Sequence, residues 1–100
     1  MNHVEKLKEQ IIPVLRPYVK RISVFGSFAR SEETSESDID LLVELKASGD
    51  RPALGLKWFG LERELSEALG HEVELVTDTS LSPYLRAQIQ KSLITLYEER

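Results

Sequence analysis

Six residues, Asp38-Ile39-Asp40-Leu41-Leu42-Val43, constrain this chain most, because two carboxylates stand two positions apart inside a branched apolar run. On a strand, successive side chains point to opposite faces, so Asp38, Asp40 and Leu42 share one face and Ile39, Leu41 and Val43 share the other. The second face must be buried. The first then holds an acidic pair on a sheet, and the strand is predicted to run from Asp38 to about Leu45.

The flanking sequence fixes the frame around it. Val4, Leu7, Ile11 and Ile12 recur at helical spacing among charged residues and predict an opening amphipathic helix, disrupted or ended by Pro13 and Pro17. A strand is expected from about Arg21 to Phe25. It runs straight into Gly26, and Ser27 to Arg30 allow only a turn or two of helix. The polar, acidic stretch from Ser31 to Ser37 reads as an exposed loop, as does Lys46 to Pro52. Trp58, Leu61, Leu65, Ala68 and Leu69 mark a helix stopped by Gly70. Trp58 and Phe59 are neighbours on it and cannot both face inward, and Lys57 and Arg63 read as solvent-facing charges. Glu72 to Thr77 is the next strand. Ser82 before Pro83 signals an N-cap, and Leu85, Ile89, Leu93 and Leu96 give a last helix its apolar stripe.

The expected order is therefore α-β-α-β-α-β-α over a single domain, residues 1–100. A helical crossover between the second and third strands makes that pair parallel, while the short polar link between the first two leaves their direction open. The expectation is an α+β fold with a small mixed sheet of three strands, or slightly more, flanked by helices.

Composition narrows the function. With 17 acidic against 13 basic side chains and a net charge of −4, the chain is ill suited to nonspecific binding of a nucleic-acid backbone. It has no cysteine, which excludes thiolate metal sites and disulfides. No segment approaches the ~20 apolar residues of a membrane span, and a cytoplasmic location is expected. His3 and His71 have no partner at metal or dyad spacing and are assigned no chemistry.

The carboxylates carry the chemistry. On the third strand Val73 and Leu75 continue the apolar face, which leaves Glu74 on the side of Asp38 and Asp40. Strands ~4.8 Å apart with alternate residues ~6.6 Å apart allow three such groups to surround two cations separated by ~3.5–4 Å. Oxygen-only ligands favour Mg²⁺, with Mn²⁺ as the substitute, over zinc, and magnesium sites are commonly completed by phosphates and water. A nucleoside triphosphate fits this demand. Gly26 and Ser27, where a strand hands over to a helix, are placed to hold its phosphates, with Arg30 as a charge clamp. Glu74 is the group expected to take a proton as a hydroxyl attacks the α-phosphorus. Singly, Gly26 is an ordinary turn, Ser27 an ordinary cap and Asp-x-Asp a weak signal; the combination gives them weight.

Gly26-Ser27-Phe28-Ala29-Arg30 followed by Ser37-Asp38-Ile39-Asp40-Leu41-Leu42-Val43 resembles the signature of the polymerase-beta-like nucleotidyltransferase superfamily. The short length, Val73-Glu74-Leu75-Val76-Thr77 and Leu81-Ser82-Pro83-Tyr84-Leu85 are similar to its minimal nucleotidyltransferase (MNT) branch. The resemblance implies a nucleotidyltransferase-type fold, metal ligation by Asp38, Asp40 and Glu74, and a triphosphate held at Gly26 and Ser27. It further implies the antitoxin of a HEPN–MNT pair, which transfers AMP from ATP to a tyrosine of a cognate HEPN toxin. Two features depart from the family pattern. The third acid is usually aspartate, and Glu74 is one methylene longer; Glu32, Glu33 and Glu36 stand where relatives often carry basic or neutral residues.

Two other readings remain open at this stage. One is a binding module that neutralises its partner by covering it, with a site that no longer turns over. The other is nucleotidyl transfer to a small molecule or to RNA, against which the lack of an acceptor domain and the acidic charge both count.

Overall fold

Ile39–Leu45 forms the central strand, and its buried positions alternate: Ile39, Leu41 and Val43 are covered while Asp40, Leu42 and Glu44 are only partly so. The computed structural model describes residues 3–30 and 38–99. Within them the chain runs α1 (His3–Leu15), β1 (Val19–Phe25), α2 (Gly26–Ala29), β2 (Ile39–Leu45), α3 (Lys57–Leu69), β3 (Val73–Thr77), α4 (Pro83–Gln90) and β4 (Ile94–Glu98), with single 3₁₀ turns at Ser48–Asp50 and Asp78–Ser80. The sheet order is β3-β2-β1-β4. β2 and β3 are parallel, as the α3 crossover requires, and β1 is antiparallel to both β2 and β4.

One face of this sheet makes the core. Ile22, Val24, Ile39, Leu41, Val43, Val73, Leu75 and Leu96 meet Leu7, Ile11 and Leu15 of α1 and Leu65 of α3. Each such side chain contributes about 1.5–3 kcal/mol on burial. Trp58 packs against this cluster while its neighbour Phe59 is 66% exposed, as their adjacency on one helix demands. The opposite face carries Ser23, Phe25, Asp40, Leu42 and Glu74.

Several local signals act as expected. Gly70 closes α3 in the left-handed region at φ 71°, with its amide donating to the Ser66 carbonyl. The Ser82 hydroxyl accepts the Leu85 amide at 3.2 Å with Pro83 in the first turn of α4.

Three expectations need correction. α1 continues through Pro13 to Leu15, because the buried Leu7-Ile11-Leu15 stripe outweighs the one hydrogen bond that proline forfeits in its last turn. β1 begins at Val19, two residues earlier than predicted. The expected last helix stops at Gln90, and the segment carrying Leu96 is a fourth strand, with Leu96 in the core. The loop from Ser31 to Ser37 lies outside the described residues. Among the described residues no helix is long and apolar enough to cross a membrane.

Candidate active site

Antiparallel pairing of β1 with β2 sets Phe25, the last residue of its strand, opposite Asp40. The next residue therefore turns beside that carboxylate. Gly26 adopts φ 76°, a conformation L side chains rarely take, and a Cβ built on it would stand 2.5 Å from Asp40 Oδ2. Only glycine brings the backbone this close, so the turn into α2 and the carboxylate form one wall.

The parallel register of β2 and β3 pairs Asp40 directly with Glu74. They are neighbours on the same face, with strands ~4.8 Å apart. Asp38 precedes the first paired residue of β2 and is exposed, and the next amide, of Ile39, donates to the Glu72 carbonyl at 2.8 Å. The carboxyl of Asp40 is held above its ordinary range, first by burial, then by the negative charges of Glu74 and Asp38; Arg30 pulls the other way. Three of the residues singled out in the sequence thus act on one carboxylate. Gly26 touches it as well. The Ser27 side chain lies outside the described residues, although its backbone is part of α2.

Among the described residues no three His, Cys, Asp or Glu side chains gather closely enough to cage a metal ion by themselves. The donor set nevertheless suits Mg²⁺, which commonly takes one or two carboxylates from protein and fills its octahedron with substrate phosphates and water. Asp38 and Asp40 offer that number, and the strain on Asp40 is the kind a cation relieves.

Strand β3 is the sheet edge, and it is held from outside. The Val73 amide donates to Ser66 Oγ at 2.9 Å and the Leu75 amide donates to Glu62 Oε2 at 2.9 Å. These two amides flank Glu74, and their acceptors lie one turn apart on α3. Ser66 is fixed in turn by donating its hydroxyl to the Glu62 carbonyl at 2.8 Å. The sequence carries no local sign of this, since a Glu and a Ser at i and i+4 on a helix look like solvated positions. Across the sheet, Arg21 bridges Glu44 at 2.8 Å and Glu98 at 2.6 Å, tying β2 and β4 to β1.

Comparison with known proteins agrees with this arrangement. Residues 3–96 match the family model described as nucleotidyltransferase domain. A candidate protein adenylyltransferase of Methanocaldococcus jannaschii is 43% identical over 88 residues, covering 87% of this chain and 90% of that protein. Among solved structures, a toxin–antitoxin complex with AMP-PNP superposes with a TM-score of 0.72 at 27% identity, covering 93% of this chain and 74% of that one. A Shewanella oneidensis complex of tri-AMPylated HEPN toxin with MNT antitoxin gives 0.69 at 26% identity, covering 95% and 72%.

Proposed function

This chain belongs to the nucleotidyltransferase domain family, and from that premise we propose that it transfers AMP from ATP to a tyrosine hydroxyl of a HEPN-type toxin and so acts as its antitoxin. The observation that carries the reading is Asp40, which touches the Gly26 turn on one side and pairs with Glu74 on the other.

In this reading the tyrosine oxygen forms a bond to the α-phosphorus, the bond from that phosphorus to the bridging oxygen of the β-phosphate breaks, and pyrophosphate departs. Glu74 accepts the hydroxyl proton. The backbone amides that follow Gly26 hold phosphate oxygens, and Arg30 contributes positive charge. Asp38 and Asp40 would hold divalent cations, whose charge would offset that of the triphosphate. One small domain presents little surface for an acceptor, so the toxin brings its own tyrosine to the exposed Glu74 edge.

The test is mass spectrometry of the toxin after incubation with this protein, ATP and Mg²⁺. AMP on a tyrosine supports the reading. An unmodified toxin in a stable complex supports neutralisation by binding alone. The double variant Asp38→Asn with Asp40→Asn is expected to lose transfer and still bind the toxin.

A further inference from the structure

The chain has three tyrosines, all among the described residues, and the fold treats them unequally. Tyr18 and Tyr97 pack against the core cluster. Tyr84 is 73% exposed, in the first turn of α4 directly after Pro83. A phenol hydroxyl is the acceptor that the reading above calls for, and this chain presents one of its own.

Helix α4 is held weakly, which makes its tyrosine presentable. None of its residues is buried, and Leu85 beside Tyr84 is half exposed. Beneath the helix lies a cavity of about 220 Å³ with a largely polar lining, where Arg21, Ser23, Glu44 and Asp78 below meet Arg86 and Gln90 of α4 above. The Arg86 guanidinium donates to the Asp78 carbonyl and pins the helix there. A segment with so little apolar burial opens locally at small free-energy cost. Charge favours its meeting with another copy. Between Asp78 and Glu98 the chain carries Arg86 and Lys91 and no acidic residue, in a molecule of net charge −4. This basic stretch complements a site that gathers Asp38, Asp40, Glu74 and a triphosphate. The site of its own copy is remote. Asp78, which anchors α4, lies four residues past Glu74, ~13 Å along the sheet at ~3.3 Å per residue.

We propose that Tyr84 is a self-modification site, to which one copy of this chain transfers AMP in another. The proposal rests on the nucleotidyl-transfer reading above and adds a second acceptor to it. The Tyr84 oxygen forms a bond to the α-phosphorus of ATP held by the second copy, and the bond from that phosphorus to the bridging oxygen of the β-phosphate breaks. Pyrophosphate departs, and Glu74 of the second copy takes the phenolic proton. The product suits its place, because the phosphodiester brings one negative charge to the first turn of α4, where the helix dipole favours it.

The test is incubation of the full chain with Mg²⁺ and ATP, without toxin, followed by mapping of AMP by tandem mass spectrometry. AMP on Tyr84 is expected, with the rate per molecule doubling as the protein concentration doubles. Tyr84→Phe, which keeps the ring at its exposed position, is expected to stay unmodified. In a mixture, Tyr84→Phe is expected to modify Tyr84 of the double variant Asp38→Asn with Asp40→Asn, which supplies an acceptor and no working site. The self-modification is overturned by AMP on other residues but not on Tyr84, by a rate per molecule that ignores concentration, or by an unmodified double variant in the mixture. An unmodified chain beside a toxin that does accept AMP overturns it too and leaves the transfer reading standing. If neither chain nor toxin takes AMP, the transfer reading fails and the self-modification falls with it.

Discussion

Gly26 and Asp40 are packed so closely that the space a Cβ would take on the first is held by a carboxylate oxygen of the second, 2.5 Å away. With φ at 76°, Gly26→Ala meets both a backbone and a side-chain penalty. A loss of about 1–3 kcal/mol is expected, visible as a lower Tm. AMP transfer should fall at least tenfold, because relief comes only by displacing Asp40. A variant with wild-type transfer rate would show that this contact is not part of the reactive geometry.

Asp40 holds its proton to higher pH in the folded chain than an unfolded aspartate, whose ordinary value is 3.8. Between those two values the folded state binds more protons, so the stability due to this residue falls as pH rises through that window. Below the window both states are neutral there. Asp40→Asn is therefore expected to gain in Tm relative to the wild type as the pH is raised from strongly acidic to neutral, without divalent cations. Millimolar Mg²⁺ should narrow that gap by raising the wild-type Tm alone. Transfer activity is expected to vanish in the variant at every pH.

The side chains of Glu62 and Ser66 grip the backbone on either side of Glu74. Glu62→Ala strips the acceptor from the Leu75 amide and is expected to cost about 1–3 kcal/mol. Because the grip sets the height of Glu74 against Asp40, kcat should drop while the KM for ATP holds. Glu62→Gln keeps an acceptor oxygen and should restore most of the kcat. If alanine and glutamine behave alike, the hydrogen bond has no role in placing Glu74.

Arg21 joins three strands through two ion pairs, yet its side chain is 44% exposed. Solvent screening limits such contacts to about 0–1 kcal/mol. Arg21→Ala is expected to lower stability by no more than that, less in 1 M salt, as read by urea titration at both ionic strengths. A larger loss would mean that the arginine stem supports the sheet by packing.

The central strand was legible in the sequence because its alternation serves burial and chemistry together: Ile39, Leu41 and Val43 have nowhere to go but the core, which leaves Asp40 on the far face beside Glu74. Gly26 was legible for a related reason, since an apolar strand ending in glycine marks a turn that needs positive φ. The fourth strand was not. Leu85, Ile89, Leu93 and Leu96 satisfy a helical period, and no glycine or proline separates them; only the free edge of β1, a tertiary demand, draws Ile94–Glu98 into the sheet.

The hold of Glu62 and Ser66 on Val73 and Leu75 has a consequence outside catalysis. A strand at the rim of a sheet normally invites stray chains to zip on, the first step toward aggregation. Here two of the outward amides of β3 are already taken, and strand addition is left to the opposite rim at β4. The folded chain thus offers one sticky margin instead of two.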